Sequence, residues 1–301
     1  MQRAIVRAMP WVFVLIWSTG FVVARLAMPH SPPFSFLAVR FALSAVCFFF
    51  WIALARAAWP DGRAQWGHLA VTGLLMQAGY LGGVWSAVKA GIGAGTVALL
   101  VGLQPVLTAL WVTATASRAD RGRVASAGVS ARQWLGLLLG LVGLALVVWP
   151  KMGTGEVTPA NLAMALVALL GITIGTLYQK RHVAPCDVRT ASAIQMLAAL
   201  AISAPFALFE PEAMDWHLNL VAAMAWSVGV LTLGGSSLLY LLIQRGEATA
   251  VTSLLYLVPP CTAVMAWLLF GEAFTLLMML GMALTVVGVA IVVRRRSLTS
   301  A

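Results

Sequence analysis

The chain has 301 residues, of which 61% are apolar and only 9% are Asp, Glu, Lys or Arg, where a globular domain carries roughly 25% charged residues. No water-soluble fold of this length hides so much apolar side chain, so a soluble enzyme or binding module is excluded. The net charge of +10 would suit nucleic acid, but the basic residues stand in short clusters between apolar runs. That pattern reads as membrane topology and calls for the lipid bilayer, not nucleic acid, as partner.

A membrane helix uses about 20 residues, and charge, Pro and Gly punctuation place ten of them in chain order. The first runs over about 8–28 behind Arg3 and Arg7; it ends without an A-x-A pattern and reads as a retained span rather than a leader. Spans follow at about 34–55, 66–89, 93–115 and 132–150, then at 159–180, 189–209, 217–243, 248–270 and 274–293. Gly and Pro interrupt the fourth and ninth. The fold class is therefore all-α, polytopic, with ten transmembrane helices. With the N-terminus cytoplasmic, 15 of the 19 basic residues lie on the inside, which places both termini in the cytoplasm of an inner-membrane protein. Glu210, Glu212 and Asp215 share one outside loop, to which the sequence assigns no role. Cys47, Cys186 and Cys261 are odd in number and far apart, so neither a disulfide framework nor a metal site is expected.

Shifting the chain by 155 residues lays Ala8, Met9, Val12, Leu15 and Gly20 on Ala163, Met164, Val167, Leu170 and Gly175. The same shift lays Gly91 and Pro105 on Gly246 and Pro260. A shift of 145 lays Gly136 and Gly143 on Gly281 and Gly288, leaving ten extra residues near Ser117–Ser130. Two five-helix repeats, 1–155 and 156–301, are expected; five is odd, so the second enters the bilayer inverted, the plan of many secondary transporters.

Several motifs then fall into a familiar order. Trp17-Ser18-Thr19-Gly20 with Arg25, Arg40-Phe41 in the second span, Gln104-Pro105 and Pro259-Pro260, and Gly271-Glu272 after span nine together resemble the EamA-type branch of the drug/metabolite transporter superfamily. The resemblance covers nearly the whole chain. It implies metabolite export, with amino acids or related metabolites as the leading substrate class, and no cofactor. One departure is that Thr113–Arg118, after span four, lacks the second glycine–glutamate turn the family often has.

Pro105 and Pro259-Pro260 sit near mid-span at matching places, where a missing N–H frees carbonyls near Val101, Leu255 and Tyr256. Packed kinks without ligand contact are the plain reading; interrupted helices flanking a midplane substrate site are the functional one. Trp17, Ser18, Gln77, Tyr80, Gln104, Thr173, Ser236, Ser237 and Tyr256 lie at similar depth and make a belt suited to a small polar or zwitterionic solute, or else to helix–helix hydrogen bonding. Arg40 lies inside a span and either snorkels to the outer interface, ties helices together, or meets an anionic group at the outer mouth. Glu272, at the outer edge of span nine, is read as ordering its own short turn, with a coupling role the sharper alternative. The GxxxG of Gly136 and Gly140 suits packing within a monomer or a weak homodimer.

His30, His68, His182 and His217 stand in loops or at span ends without a close Cys, Asp or Glu, so the chain is read as no enzyme. The expected function is a secondary transporter moving a small organic metabolite by alternating access through a midplane cavity; a non-transporting membrane sensor or scaffold is the alternative.

Overall fold

The computed structural model describes residues 2–115, 131–235, 238 and 257–293. Every regular element among these residues is a helix: α1 (Gln2–Ala27), α2 (Pro33–Ala55), α3 (Arg63–Gly73), α4 (Tyr80–Lys89), α5 (Ala94–Val101), α6 (Gln104–Thr115), α7 (Ala131–Gly153), α8 (Pro159–His182), α9 (Val188–Leu208), α10 (Leu218–Ala225), α11 (Val258–Phe270) and α12 (Leu276–Val293). Five stretches are long and apolar enough to cross a membrane, namely Pro33–Ala55, Ala94–Trp111, Gln133–Gly153, Pro159–His182 and Val188–Leu208. Trp11–Ala27, Leu218–Gly234, Val258–Phe270 and Leu276–Ile291 are shorter apolar helices. The ends proposed for spans eight and nine around 236–256, the basic loop near Ser117–Ser130 and Arg294–Arg296 lie outside the described residues.

Local chemistry explains where the helices begin and end. Pro33 opens α2, a first-turn position that needs no N–H, and Arg56 closes it at φ 46°. Thr158 and Asn161 form a reciprocal capping box at the start of α8, Asp187 caps α9, and Gly271 ends α11 at φ 63°. On α2, Val46, Phe50 and Leu54 are 65–69% exposed while Phe41, Phe48 and Ile52 are buried. A bare apolar face at four-residue spacing is stable against acyl chains and costly against water.

The prolines behave differently from the kinks expected. The fourth span breaks at Gly102–Leu103, and α6 restarts at Gln104 with Pro105 in its first turn. Pro259 and Pro260 likewise stand in the first turn of α11. Among the described residues both sites stand in a helix's first turn, where the missing donor leaves nothing unsatisfied.

Glycines set the closest crossings. A methyl at Gly288 would lie 2.6 Å from the Gly136 carbonyl oxygen, and one at Gly281 2.5 Å from that of Gly143. α7 and α12 are therefore packed backbone to backbone, with Thr285 Oγ1 donating to the Gly281 carbonyl at 2.9 Å. Gly73 meets the backbone of Gln195, and Gly83 that of Met164 and Ala168, which draws α3 and α4 against α9 and α8. Between α3 and α4 the backbone winds as a π-helix over Leu74–Gly79, and after α10 it does so again over Trp226–Gly234.

Candidate functional site

The two π-helical segments face a common hollow. A cavity of about 650 Å³ lies between α1, α2, α4, α8, α9 and these segments, within the size range of small-molecule sites. Phe21, Arg40, Tyr80, Val84 and Trp85 line its deep part and are each at most 7% exposed. At its other extreme the wall is made by the α8–α9 connection, Val183–Cys186, whose Ala184 and Pro185 are exposed. The cavity is thus blind at one end and reaches the surface at the other. A π turn adds a residue to the helical circuit and re-aims its neighbours. Gln77 and Met76 come from the first such segment, Leu231 and Thr232 from the second. The Thr232 hydroxyl donates to the Ser227 carbonyl at 2.8 Å, five residues back, as that winding requires.

Arg40 sits at the blind end. Its side chain is 6% exposed, so it does not snorkel out of the span. One guanidinium nitrogen, Nη2, donates to Thr232 Oγ1 at 3.3 Å, and the guanidinium carbon stands 5.9 Å from the centroid of the Trp85 ring. Its Nε is buried with no hydrogen-bond partner. Trp85 itself stacks on Phe36 at 4.3 Å between ring centroids, which fixes the floor beneath the cation.

Beyond this floor the blind end is tied shut by carboxylates. Glu210 accepts from the backbone N–H of Phe34 and Ser35 and from the Ser35 hydroxyl, at 2.8–2.9 Å, capping α2. Lys89 donates to Glu212 at 2.5 Å and to the Met28 carbonyl, while Asp215 meets His30 Nδ1 at 3.2 Å. Glu272 accepts from Ala94 N–H at 2.9 Å, with Arg25 at 4.0 Å, and Glu156 accepts from Gly93 N–H and from Lys151. Glu272 therefore caps α5, a helix remote in sequence, instead of ordering its own turn. The loop 210–215, to which the sequence assigned nothing, supplies three of these ties.

Other contacts, among the described residues, stand at the open rim. Gln65 donates to the Ala184 carbonyl at 2.8 Å and accepts from the Ala184 N–H, His68 meets the Tyr178 hydroxyl at 2.8 Å, and Thr190 donates to the Ala58 carbonyl. Arg189 donates through Nε and Nη2 to Asp187, and these bonds hold that carboxyl below its ordinary range. Burial pushes the Cys186 thiol above its ordinary value.

Of the residues the sequence singled out, Trp17, Gln77, Tyr80 and Arg40 are on the cavity wall. Ser18 and Thr173 are fully buried or nearly so and turn back to the Val14 and Leu169 carbonyls of their own helices, away from the hollow. Gln104 stands behind the wall and donates through Nε2 to Thr176 Oγ1 at 3.1 Å, and Thr176 is the residue that faces the cavity. Pro105, Pro259 and Pro260 serve helix starts; Pro259 packs against Gly102. Ser236, Ser237 and Tyr256 lie outside the described residues. Sequence reasoning missed Trp85, Thr176, Gln179, Gln195 and Thr232, all on the wall. The 155-residue shift held the signal for two of them, since it lays Arg40 on Gln195 and Gln77 on Thr232.

An all-helical apolar bundle around a solvent-reached hollow invites comparison with membrane carriers. The model of the EamA-like transporter family matches residues 9–120 and 160–294. The chain belongs to the EamA-like transporter family. It is similar to the "Uncharacterized transporter YvbV" of Bacillus subtilis, 24% identical over 93% of this chain and 88% of that one. It is also similar to the "Probable amino-acid metabolite efflux pump" of Salmonella typhimurium, 22% identical over 92% and 91% of the two chains. The "Uncharacterized inner membrane transporter YedA" of Escherichia coli is 24% identical over 92% and 87%. A solved crystal structure shares the fold with a TM-score of 0.64, at 22% identity over 96% of this chain and 97% of that one. The family and its relatives are transporters by name, and the protein is a polytopic membrane protein of that kind.

Proposed function

We propose that this EamA-like protein is a secondary transporter of the inner membrane that moves a small organic metabolite by alternating access, with amino acids or related metabolites as the leading class and export as the direction. The observation that carries this is the cavity: a hollow of about 650 Å³, walled by Arg40, Gln77, Tyr80, Thr176 and Thr232, blind at one end and open at the other. One open end is what a carrier caught in one access state presents.

Ten spans in two inverted repeats, 1–155 and 156–301, are part of this reading. It is supported by the π-helical segments, since Leu74–Gly79 shifted by 155 residues falls within Trp226–Gly234. The packing of α7 on α12 supports it too: Gly136 pairs with Gly288 and Gly143 with Gly281, and a shift of 145, which lays Gly136 on Gly281 and Gly143 on Gly288, turns one pair into the other. The family model matches one stretch in each half. In the orientation that places the Arg-rich connections inside, the blind end faces outward and the α8–α9 rim faces the cytoplasm. The state described is then inward-facing, and the carboxylate ties form the closed outer gate.

The test is flux through the purified protein in liposomes. Tyr80→Ala and Gln77→Ala lower uptake or efflux of the transported solute about tenfold or more while leaving reconstituted amounts unchanged, because each removes a wall contact worth about 1–2 kcal/mol. Wild-type flux in both variants would set the cavity aside.

A further inference from the structure

Resting on the carrier reading above, but moving its substrate class from amino acids to related acids that lack the amino group, we infer that the cavity selects organic anions: solutes with a carboxylate, no compensating ammonium, and an apolar or aromatic body. Arg40 is the reason. It is 94% buried (6% exposed), it borders the hollow, and its Nε has no partner. Among the described residues its one side-chain hydrogen bond, to Thr232 at 3.3 Å, leaves most of the guanidinium's fork of donors unspent. An arginine placed to brace helices meets carbonyls or a carboxylate with that fork. Among the described residues this one meets an aromatic face and borders the hollow.

The rest of the wall supplies no opposing charge. Among the described residues no Asp or Glu lines the cavity, and the second charge on it, Lys180 near the rim, is also positive. Asp187, beside the rim, is held by Arg189 at 2.6 Å and 2.9 Å. A buried cation without a counter-ion is costly, and a ligand carboxylate is the group that relieves the cost through a bidentate, charge-assisted bond. A zwitterion would bring an ammonium into a site already positive. Gln77, Gln195 and the Tyr80 hydroxyl offer neutral hydrogen bonds around the acid, and Trp17 and Trp85 offer flat apolar walls for its body.

The same charge logic bears on energy coupling. Among the described residues, no Asp or Glu lies inside the helices that form the cavity. An exported anion needs no proton relay, because an inside-negative membrane potential drives it outward.

Three solutes that share a ring and differ in charge decide the matter: phenylpyruvate, phenylalanine and phenethylamine, backed by the aliphatic set 4-methyl-2-oxopentanoate, leucine and isopentylamine. Binding to the full-length protein is read as thermal stabilisation in detergent, and flux is read in liposomes with a potassium-clamped potential. The wild type is expected to bind an oxo acid about tenfold or more tightly than its amino acid or amine, and an inside-negative potential is expected to speed efflux of the oxo acid. Arg40→Gln loses that preference and Arg40→Lys keeps part of it. Equal or better binding of an amino acid or amine, binding of none of the six, or an unchanged preference in Arg40→Gln overturns the inference. Should Arg40→Gln fail to fold, the wild-type ranking decides by itself. Oxo-acid binding without flux of any solute would leave this site intact and defeat the carrier reading; amino-acid flux without oxo-acid binding would do the reverse.

Discussion

Asp187 and Arg40 illustrate how differently two charges are handled within one chain. Asp187 stands at the rim with two hydrogen bonds from Arg189, which hold its carboxyl below the ordinary value of 3.8. A carboxyl depressed on folding contributes stability above its unfolded pKa, and that contribution fades as pH falls towards the folded value. The wild type is therefore expected to lose thermal stability more steeply than Asp187→Asn as pH drops below about 4, since Asn keeps the helix cap and removes only the charge. Parallel acid profiles for the two proteins would refute the assignment. Among the described residues Arg40 has no such partner. Its position inside a span was legible from sequence because a lone charge in an apolar run is conspicuous, as were Trp17, Gln77 and Tyr80 among aliphatic neighbours. Ser18 and Thr173 were misread because depth along a span says nothing about direction. A small hydroxyl in a helix finds its own carbonyl four residues back before it finds a ligand.

At the scale of elements, the all-helical, apolar character of the chain was legible, because charges and turn formers are excluded from apolar runs. The internal winding was not. A π turn over Leu74–Gly79 has no hydropathy signature, yet it aims Gln77 into the hollow. Prolines were visible but ambiguous: Pro105 marks a break in either case, and only the backbone distinguishes a kink from a restart after Gly102–Leu103. The glycine pairs of α7 and α12 were legible as small-residue faces, though not their partners. A methyl or larger group at Gly143 would press on the backbone around Gly281 and Thr285. Gly143→Leu is therefore expected to destabilise the protein by about 1–3 kcal/mol or more and to cut its membrane abundance. Gly67→Ala, with no neighbour within 4 Å, is the matched control and is expected to leave both unchanged. Equal stability of the two variants would argue against the tight crossing.

For the molecule as a whole, composition sufficed to exclude a soluble fold, and the matched glycines and prolines suggested paired halves. What the sequence did not disclose was which end is shut. Closure depends on carboxylates far apart in the chain, Glu210, Glu212, Asp215 and Glu272, meeting backbone N–H groups, Lys89 and His30 near the starts of α2 and α5. Such contacts leave no local pattern. The proposed carrier must open this end while closing the rim at Val183–Cys186, exposing Arg40 and its solute first to one face of the membrane and then to the other.

A single cysteine at Leu81, an apolar residue of the cavity wall, in a protein whose Cys47, Cys186 and Cys261 have been replaced, tests that claim most directly. It is challenged from each side of oriented membranes with a small membrane-impermeant thiosulfonate. At rest, labelling is expected from the side that bears the α8–α9 connection; during solute exchange it is expected from both sides, with slowing when bound solute fills the hollow. A residue that no reagent reaches from either side, at rest or during exchange, would contradict the account.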